Sequence, residues 1–258
     1  MLAIISPAKS LDFDGRAPTS KSSVPSFLDD SAELMRELRE MAPQDLSDLM
    51  GISTDLAQLN YDRYAAWGEP FNRRTAKQAM FAFNGDVYIG LKSAEFSERD
   101  LTWAQRHLRI LSGLHGILKP LDLIQPHRLE MGTQLPNGRG GDLYAFWRDK
   151  VTAALNEAID AQRQPILVNL ASNEYFKAVD AARLDARIIT PTFKDLKNGR
   201  YKFISFFAKK ARGLMAAYLV KNRVSTLRAL KAFDWQGYRF SAAESSPNDW
   251  VFLRDQPT

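Results

Sequence analysis

Cysteine is absent from the 258-residue sequence. Its absence excludes disulfides, thiolate nucleophiles, iron–sulfur clusters and thiolate zinc sites. No stretch approaches the roughly 20 consecutive apolar residues that a membrane helix requires. The short apolar start, Met1 to Ile5, has no basic lead and predicts a strand rather than a signal peptide. We therefore expect a cytoplasmic protein with no membrane partner.

Histidine is scarce, and its three copies are poorly spaced for a metal. His107, His115 and His127 form no helical pair three or four residues apart, and no thiolate can complete a site. We predict no metal site and no cofactor.

Acidic residues are missing from one long segment, Leu196 to Phe233. This segment holds ten Lys and Arg residues, whereas the 25 basic residues elsewhere are outnumbered by 30 Asp and Glu. Its charge is therefore +10 within a chain of net charge +5. Positive charge concentrated in this way indicates a nucleic-acid partner.

Apolar spacing predicts helices and strands interspersed along one mixed α/β domain that spans residues 1–258. We expect an α+β fold in which helices surround a mixed sheet. Helices are predicted over 27–41, from 43, over 53–67, 97–112, 143–161 and 207–222. Ser97 and Asp100 predict a capping box at the start of the helix over 97–112. Strands are predicted over 2–6, 166–170, 237–242 and 250–254, and 79–91 is predicted as two strands or a strand and a turn. The Asn198-Gly199 pair predicts a β-hairpin, since both residues tolerate the positive φ of a tight turn.

The helix predicted over Phe207 to Lys221 has an apolar side and a cationic side. Its cations are Lys209, Lys210, Arg212 and Lys221. Gly213 and Ala217 fall between these charges, where small residues would let a phosphate backbone approach the helix. A solvated helix face is the alternative interpretation.

The segment Leu108 to Leu123 contains two glycines, Gly113 and Gly116, followed by Lys119. A helix that ends at Gly113, a glycine-bounded turn and a basic continuation are similar to a helix-hairpin-helix, whose turn offers N–H groups to a phosphate. A plain helix C-cap followed by a turn explains the same glycines.

Candidate catalytic groups are also present. Lys9 lies in a Ser6–Ser10 loop that follows a predicted strand, where it could hold a phosphate or form an ordinary polar turn. Four carboxylates in polar contexts could supply an acid–base pair, although scattered surface carboxylates are commoner. They are Asp122, Glu130, Asp142 and Glu174.

Several segments together resemble the YaaA family of bacterial peroxide stress proteins. They are SPAKSLD (6–12), FNGDVYIGL (83–91), LRILSGLHGILKPLDLIQPHRLEMG (108–132), NLASNEYFK (169–177) and SFFAKKARGLMAAYLVKNR (205–223). The resemblance implies a cytosolic protein that limits oxidative damage by holding down unincorporated iron. It also implies a DNA-binding, single-domain mixed α/β fold with a helix-hairpin-helix and a positive cleft.

Our first hypothesis is a DNA-binding protein of the peroxide stress response that recognises duplex or branched DNA largely without sequence specificity. Its predicted DNA-binding residues are Lys9, Gly113, Gly116, Lys119, Lys209, Lys210, Arg212 and Lys221. The second is an enzyme acting on a nucleotide, nucleoside or nucleic acid, with Lys9 as phosphate ligand and Glu130 or Glu174 as general acid or base. The third is a positive face that meets an acidic protein.

Overall fold

The computed structural model of the protein describes residues 1–255. Its strands in that range are β1 (Leu2–Ile5), β2 (Ser10–Leu11), β3 (Lys77–Gln78), β4 (Phe83–Asn84), β5 (Leu108–Ser112), β6 (Gly116–Leu118), β7 (Leu123–Ile124), β8 (Ile166–Leu170), β9 (Arg187–Lys197), β10 (Arg200–Lys202), β11 (Arg239–Ser241) and β12 (Asp249–Arg254).

Its α-helices in the same range are α1 (Leu28–Arg39), α2 (Pro43–Met50), α3 (Thr54–Ala66), α4 (Ala79–Ala82), α5 (Asp86–Leu91), α6 (Glu98–His107), α7 (Leu143–Asp160), α8 (Asn173–Phe176), α9 (Ser205–Lys221) and α10 (Leu227–Lys231). Short 3-10 turns occupy Ser93–Glu95, Ala181–Arg183 and Trp235–Gly237.

The main sheet is mixed and has the strand order β11-β12-β9-β8-β1-β5-β6, with β10 paired to β9. β12, β9, β8, β1 and β5 run parallel, whereas β11, β6 and β10 are antiparallel to their neighbours. β1 lies at the centre, where Ala3 is paired with both Leu108 and Val168. The carboxyl ends of the parallel strands therefore meet at one edge of the sheet, which we call the carboxyl edge.

Each face of this sheet supports its own apolar core. Along β1, Ala3 and Ile5 join a cluster with α5, α6 and α9, whereas Leu2 and Ile4 join a cluster with α1, α3 and α7. Because successive strand residues point to opposite faces, an apolar strand such as β1 can hold helices on both sides. The predicted mixed α/β fold is confirmed.

The local turn and capping predictions are confirmed where they rest on backbone chemistry. Asn198 and Gly199 both have positive φ, 54° and 72°, between β9 and β10. Ser97 caps α6 through its Oγ, which accepts from the Asp100 amide at 3.2 Å, while the Asp100 carboxylate accepts from the Ser97 amide at 2.9 Å. α6 ends at His107, however, and the chain continues as β5.

The helix-hairpin-helix prediction for the segment Leu108 to Leu123 is wrong. Residues 108–118 form an antiparallel β-hairpin, in which Ile110 pairs with Leu118 and Ser112 pairs with Gly116. The prediction of two strands, or of a strand and a turn, for 79–91 is also wrong, because that segment is mainly α4 and α5 with a short strand between them. In both segments tertiary packing overrides the local pattern.

Candidate functional site

A cavity lies at the carboxyl edge, beside the ends of β1, β5 and β8. From β1 the chain continues to β5 on one side and later to β8 on the other, so the strand order reverses at β1. Open α/β sheets bind ligands in the crevice at such a switch point. Backbone topology alone therefore marks this position as the candidate binding site.

This cavity, which we call the edge pocket, has a volume of about 460 Å³. Both signs of charge line it: Lys9, Asp86, Arg128, Glu130, Glu174, Lys209 and Arg212. A cavity of this size, lined by both acidic and basic side chains, suits a small polar ligand or part of a larger one.

Lys9, Arg128 and Glu130 form a charged network inside the edge pocket. Lys9 Nζ lies 2.6 Å from Glu130 Oε2, and Arg128 donates to Glu130 Oε1 at 2.9 Å. Glu130 is half-buried whereas Lys9 is largely exposed, so the pair holds the flexible lysine at the pocket mouth. The sequence prediction named Lys9 and Glu130 as partners in one site, and the structure brings them together.

Two loops at the carboxyl edge are joined through serine hydroxyls. The Ser172 amide donates to Ser6 Oγ at 2.9 Å, and the two hydroxyls lie 3.3 Å apart. Nearby, Glu174 Oε1 accepts from the Gly132 amide at 3.1 Å. These contacts fix the loop after β1 against the loop after β8 and set the position of Glu174 in the pocket wall.

α9 contributes Lys209 and Arg212 to the edge pocket. No carboxylate within residues 1–255 lies within 4.0 Å of either cation. Arg212 is half-buried, and this burial lowers its pKa because it disfavours the charged form. A desolvated guanidinium without a carboxylate partner is suited to bind an anion from solution.

From Ala211 to Val220, α9 is buried on almost every side, contrary to the predicted open cationic face. A Cβ on Gly213 would lie 1.8 Å from the Val87 carbonyl oxygen, and one on Gly90 would lie 2.1 Å from the Lys210 carbonyl oxygen. These two glycines let α5 and α9 cross in close contact. The small residues of α9 therefore make room for a helix, not for a phosphate backbone.

Gly113 and Gly116 are buried and cannot offer their amides to a phosphate. A Cβ on Gly113 would meet the Leu129 carbonyl oxygen at 2.3 Å, and one on Gly116 would meet the Trp147 ring at 2.5 Å. Trp147 Nε1 donates to the Gly113 carbonyl oxygen at 2.8 Å. The glycines are required by a tight β-turn packed under α7.

Lys119 and Lys221 lie away from the edge pocket. Lys119 follows β6, which runs back from the carboxyl edge, so it lies at the opposite edge, near Asp122. Lys221 ends α9, about 18 Å along the helix from Lys209 at 1.5 Å per residue, and contacts Glu95 at 3.7 Å. The structure thus brings together three of the six cations that we predicted to bind DNA, Lys9, Lys209 and Arg212, with Lys210 beside them on α9.

The hairpin formed by β9 and β10 adds three cations to the carboxyl edge. Lys197, Arg200 and Lys202 are exposed, and none has a carboxylate within 4.0 Å in the described part of the chain. β9 runs parallel to β8, so this hairpin projects from the edge that carries the pocket. We call Lys197, Arg200, Lys202, Lys209, Lys210 and Arg212 the edge cations.

Sequence reasoning missed several lining residues, among them Asn84, Asp86, Arg128 and Ser172. Ser172 lies two residues after the end of β8, so its position near a strand's carboxyl end was the signal in the sequence that could have indicated it. Asn84 and Asp86 reach the pocket because β4 pairs with β2. Nothing local in the sequence indicates that pairing.

The histidines contribute little to the edge pocket. His115 is buried and bonded through Nδ1 to Ser31 Oγ at 2.9 Å, and His127 bonds the Gln125 carbonyl oxygen at 2.8 Å. Their rings lie 5.2 Å apart, edge to face, and of the three histidines only His127 lines the pocket. Within residues 1–255, no group of three or more His, Cys, Asp or Glu side chains is arranged to hold a metal ion.

The model of one protein family, described as peroxide stress protein YaaA, matches residues 1–244. The chain belongs to this family. A UPF0246 protein of Teredinibacter turnerae is 58% identical over 99% of this chain and 100% of its own length. A UPF0246 protein of Saccharophagus degradans is 54% identical over the same shares. A third, from Alteromonas mediterranea, is 56% identical over 99% of both chains.

Membership of the YaaA family supports a role in the peroxide stress response. None of the α-helices within residues 1–255 has the length and apolar character needed to span a bilayer. The match over nearly the whole length of three relatives indicates that they share the fold described above.

Proposed function

We propose that this chain is a cytoplasmic nucleic-acid-binding protein of the peroxide stress response, and that the carboxyl edge is its binding surface. The observation that carries the proposal is the set of six edge cations. They come from two elements, the β9–β10 hairpin and α9, that meet at one edge of the sheet. DNA, as duplex or branched structure, is the expected partner.

Carboxylate pairing separates these cations from Lys221 and Arg223 of the acid-free segment. Lys221 and Arg223 contact Glu95 and Asp100, at 3.7 Å and 2.7 Å, and Lys231 lies over the Phe240 and Trp250 rings. A cation that already faces a carboxylate gains less from a phosphate than an unpaired one does. Eight cations of the segment face no carboxylate within 4.0 Å in the described residues; six of them lie where the hairpin and α9 meet, and the other two, Arg228 and Lys231, lie on α10.

Lysine and arginine on a protruding hairpin favour contacts with the phosphate backbone. Such contacts position a protein on nucleic acid but carry no sequence information. We infer binding that is largely independent of sequence and strongly dependent on salt.

Any effect of the protein on unincorporated iron would then be indirect. Carboxylates alone would make a weak and unselective iron store, and the chain has no cysteine. We propose that the protein lowers iron-dependent damage through nucleic acid. Equilibrium dialysis against ferrous iron tests this route, since stoichiometric binding by the purified protein would contradict it.

An electrophoretic shift series with duplex, single-stranded and branched DNA, run across a range of salt, tests the proposed function. We expect complexes that weaken steeply as salt rises. Exchange of Lys209 and Lys210 for Gln should weaken every complex without changing the circular dichroism spectrum. Charge reversal of Arg212 is a poorer test, because it would place a carboxylate in a half-buried position. Absence of a shift with every DNA form at low salt would contradict the proposal.

The edge pocket favours a second candidate function, an enzyme acting on a nucleotide, nucleoside or nucleic acid. The specific observation is that Lys9, Glu130 and Glu174 line one cavity, with Lys9 and Glu130 in contact. In this role Lys9 would hold a phosphate, and one of the carboxylates would act as general acid or base.

Incubation of the protein with a panel of nucleotides, nucleosides and oligonucleotides, followed by chromatography of the products, tests the enzymatic candidate. A product formed by the native chain and not by Glu130→Gln or Glu174→Gln would support it. Arg183→Gln is the matched control, because Arg183 forms an exposed pair with Asp149 outside the pocket lining. Substrates left intact by the native chain would count against catalysis.

A further inference from the structure

Two phenylalanines at the carboxyl edge are unusually exposed. Phe203 follows β10, Phe206 lies in the first turn of α9, and each is 54% exposed. Neighbouring Phe207 is covered by Arg254, whose guanidinium lies 4.9 Å from the ring centroid. The local chain can therefore bury an aromatic ring, yet it presents these two to solvent.

The exposed rings lie among the edge cations. Lys202 precedes Phe203, and Lys209 and Lys210 follow Phe206 by three and four residues on α9. Residues spaced by three or four on a helix are neighbours on its surface. Large exposed apolar side chains clustered at a surface mark interaction sites, and the surrounding positive charge fits a polyanion.

Double-stranded DNA conceals the faces of its bases, whereas single-stranded nucleic acid exposes them. Proteins that bind single strands combine cations along the backbone with aromatic rings on which bases stack. Phe203 and Phe206, interleaved with the edge cations, have both of these features. Purely phosphate-directed binding would require the cations alone.

A row on α9 extends this surface into the edge pocket. Phe206, Lys209 and Arg212 follow one another at intervals of three residues, and the last two line the cavity. A strand whose bases stack at Phe206 would present its next phosphates to Lys209 and Arg212. The row therefore defines a direction from the hairpin toward the pocket.

We propose that Phe203 and Phe206 stack against unpaired bases, so that the carboxyl edge binds single-stranded or locally unpaired nucleic acid more tightly than continuous duplex. This inference rests on the proposed nucleic-acid binding and names the substrate class. The two rings select unpaired bases while the edge cations hold the backbone.

Fluorescence anisotropy with a labelled single-stranded oligonucleotide and its blunt duplex tests the proposal. The native chain should bind the single strand more tightly. The double variant Phe203→Ala/Phe206→Ala should lose on the order of tenfold to a hundredfold in single-strand affinity and less than about twofold in duplex affinity. Val24→Ala is the matched control, because Val24 is also 54% exposed and lies outside the carboxyl edge. It should leave both affinities unchanged.

Conservative variants distinguish stacking from simple apolar contact. Phe203→Tyr/Phe206→Tyr should retain single-strand binding within about twofold, whereas Phe203→Leu/Phe206→Leu should weaken it nearly as much as alanine, because leucine has no π face. Equal losses for single strand and duplex, or full retention by the leucine variant, would overturn the proposal.

Two further outcomes separate this inference from its alternatives. If the chain binds no nucleic acid at all, the proposed function fails and the stacking role fails with it. If it binds both forms equally and the phenylalanine variants change neither, only the stacking role fails. Sedimentation with anionic phosphatidylglycerol vesicles tests a lipid surface as the alternative partner. Vesicle binding that is retained by the leucine variant and lost in the alanine variant would assign the rings to a lipid surface instead.

Discussion

Gly213→Ala gives opposite results for the two interpretations of α9. If Gly213 faced a phosphate backbone or solvent, alanine would stabilise the helix by about 1 kcal/mol, because glycine is the poorer helix former by that amount. In the structure the new Cβ would lie 1.8 Å from the Val87 carbonyl oxygen and 2.8 Å from the Leu91 amide nitrogen. A close C···O contact in proteins is about 3.3 Å, so α5 and α9 would have to separate by roughly 1.5 Å.

The expected magnitude follows from those distances. Overpacking a well-packed core costs typically about 1–3 kcal/mol and occasionally more. The obstructing atoms are backbone of α5, which cannot rotate away as a side chain can. We therefore expect a cost at the upper end of that range, about 3 kcal/mol, and after the gain of about 1 kcal/mol in helix propensity the free energy of unfolding should fall by about 2 kcal/mol.

Urea denaturation followed by circular dichroism measures this change. Gly141→Ala is the matched control, because a Cβ at Gly141 meets nothing within 4 Å and should change stability by less than about 0.5 kcal/mol. A Gly213→Ala protein as stable as the native chain, or more stable, would refute the close packing of α5 on α9.

Three further predictions concern burial and charge. Asp195→Ala should lower the free energy of unfolding by about 3–5 kcal/mol, because Asp195 is buried and accepts from Arg254 Nε at 2.6 Å. Thermal unfolding checks this against Lys194→Ala, whose partly exposed pair with Glu244 should contribute less than about 1 kcal/mol. Burial lowers the pKa of His127 to about 4 and that of His115 well below its usual value. Both folded-state pKa values lie below the unfolded value of about 6.5. The stability that depends on keeping these imidazoles neutral is therefore complete above pH 6.5 and is lost as pH falls from about 6.5 toward 4. Urea titrations at several pH values should show a shallower loss of stability with falling pH for His127→Gln than for the native chain, and an unchanged dependence on pH would contradict the assignment. Lys221→Gln should alter DNA affinity by less than about twofold in anisotropy titrations, since Lys221 contacts Glu95 at the far end of α9, and a large loss would extend the binding surface beyond the carboxyl edge.

Predictions that depend on local chemistry agree with the structure. The Asn198-Gly199 turn, the Ser97 capping box and the strand at 166–170 each depend on a few neighbouring residues. The position of Lys9 could also be predicted from the sequence, because a loop that follows a central strand opens at the carboxyl edge of a parallel sheet.

Predictions that depend on packing between residues far apart in the sequence were the ones that differed from the structure. Gly113 and Gly116 suit a helix C-cap and a tight β-turn equally well, and the contacts of Leu129 and Trp147 decide between them. A helical wheel of α9 could not show that α5 covers its small residues. The segment that contains α5, residues 79–91, has a strand-forming composition but folds mainly as helix, so its packing against α9 could not be predicted from its own sequence. The proximity of Lys9 to Glu130 likewise arises from chain segments far apart in sequence.

The salt dependence of DNA affinity tests the central claim most directly. The native chain and a Lys197→Gln/Arg200→Gln/Lys202→Gln variant would be titrated with one labelled oligonucleotide by anisotropy between 50 and 200 mM salt. If the three hairpin cations neutralise phosphates of a duplex, the slope of log K against log salt should become less negative by about 2.7, at roughly 0.9 per contact. Equal slopes for the two proteins, or an affinity that does not respond to salt, would contradict binding at the carboxyl edge.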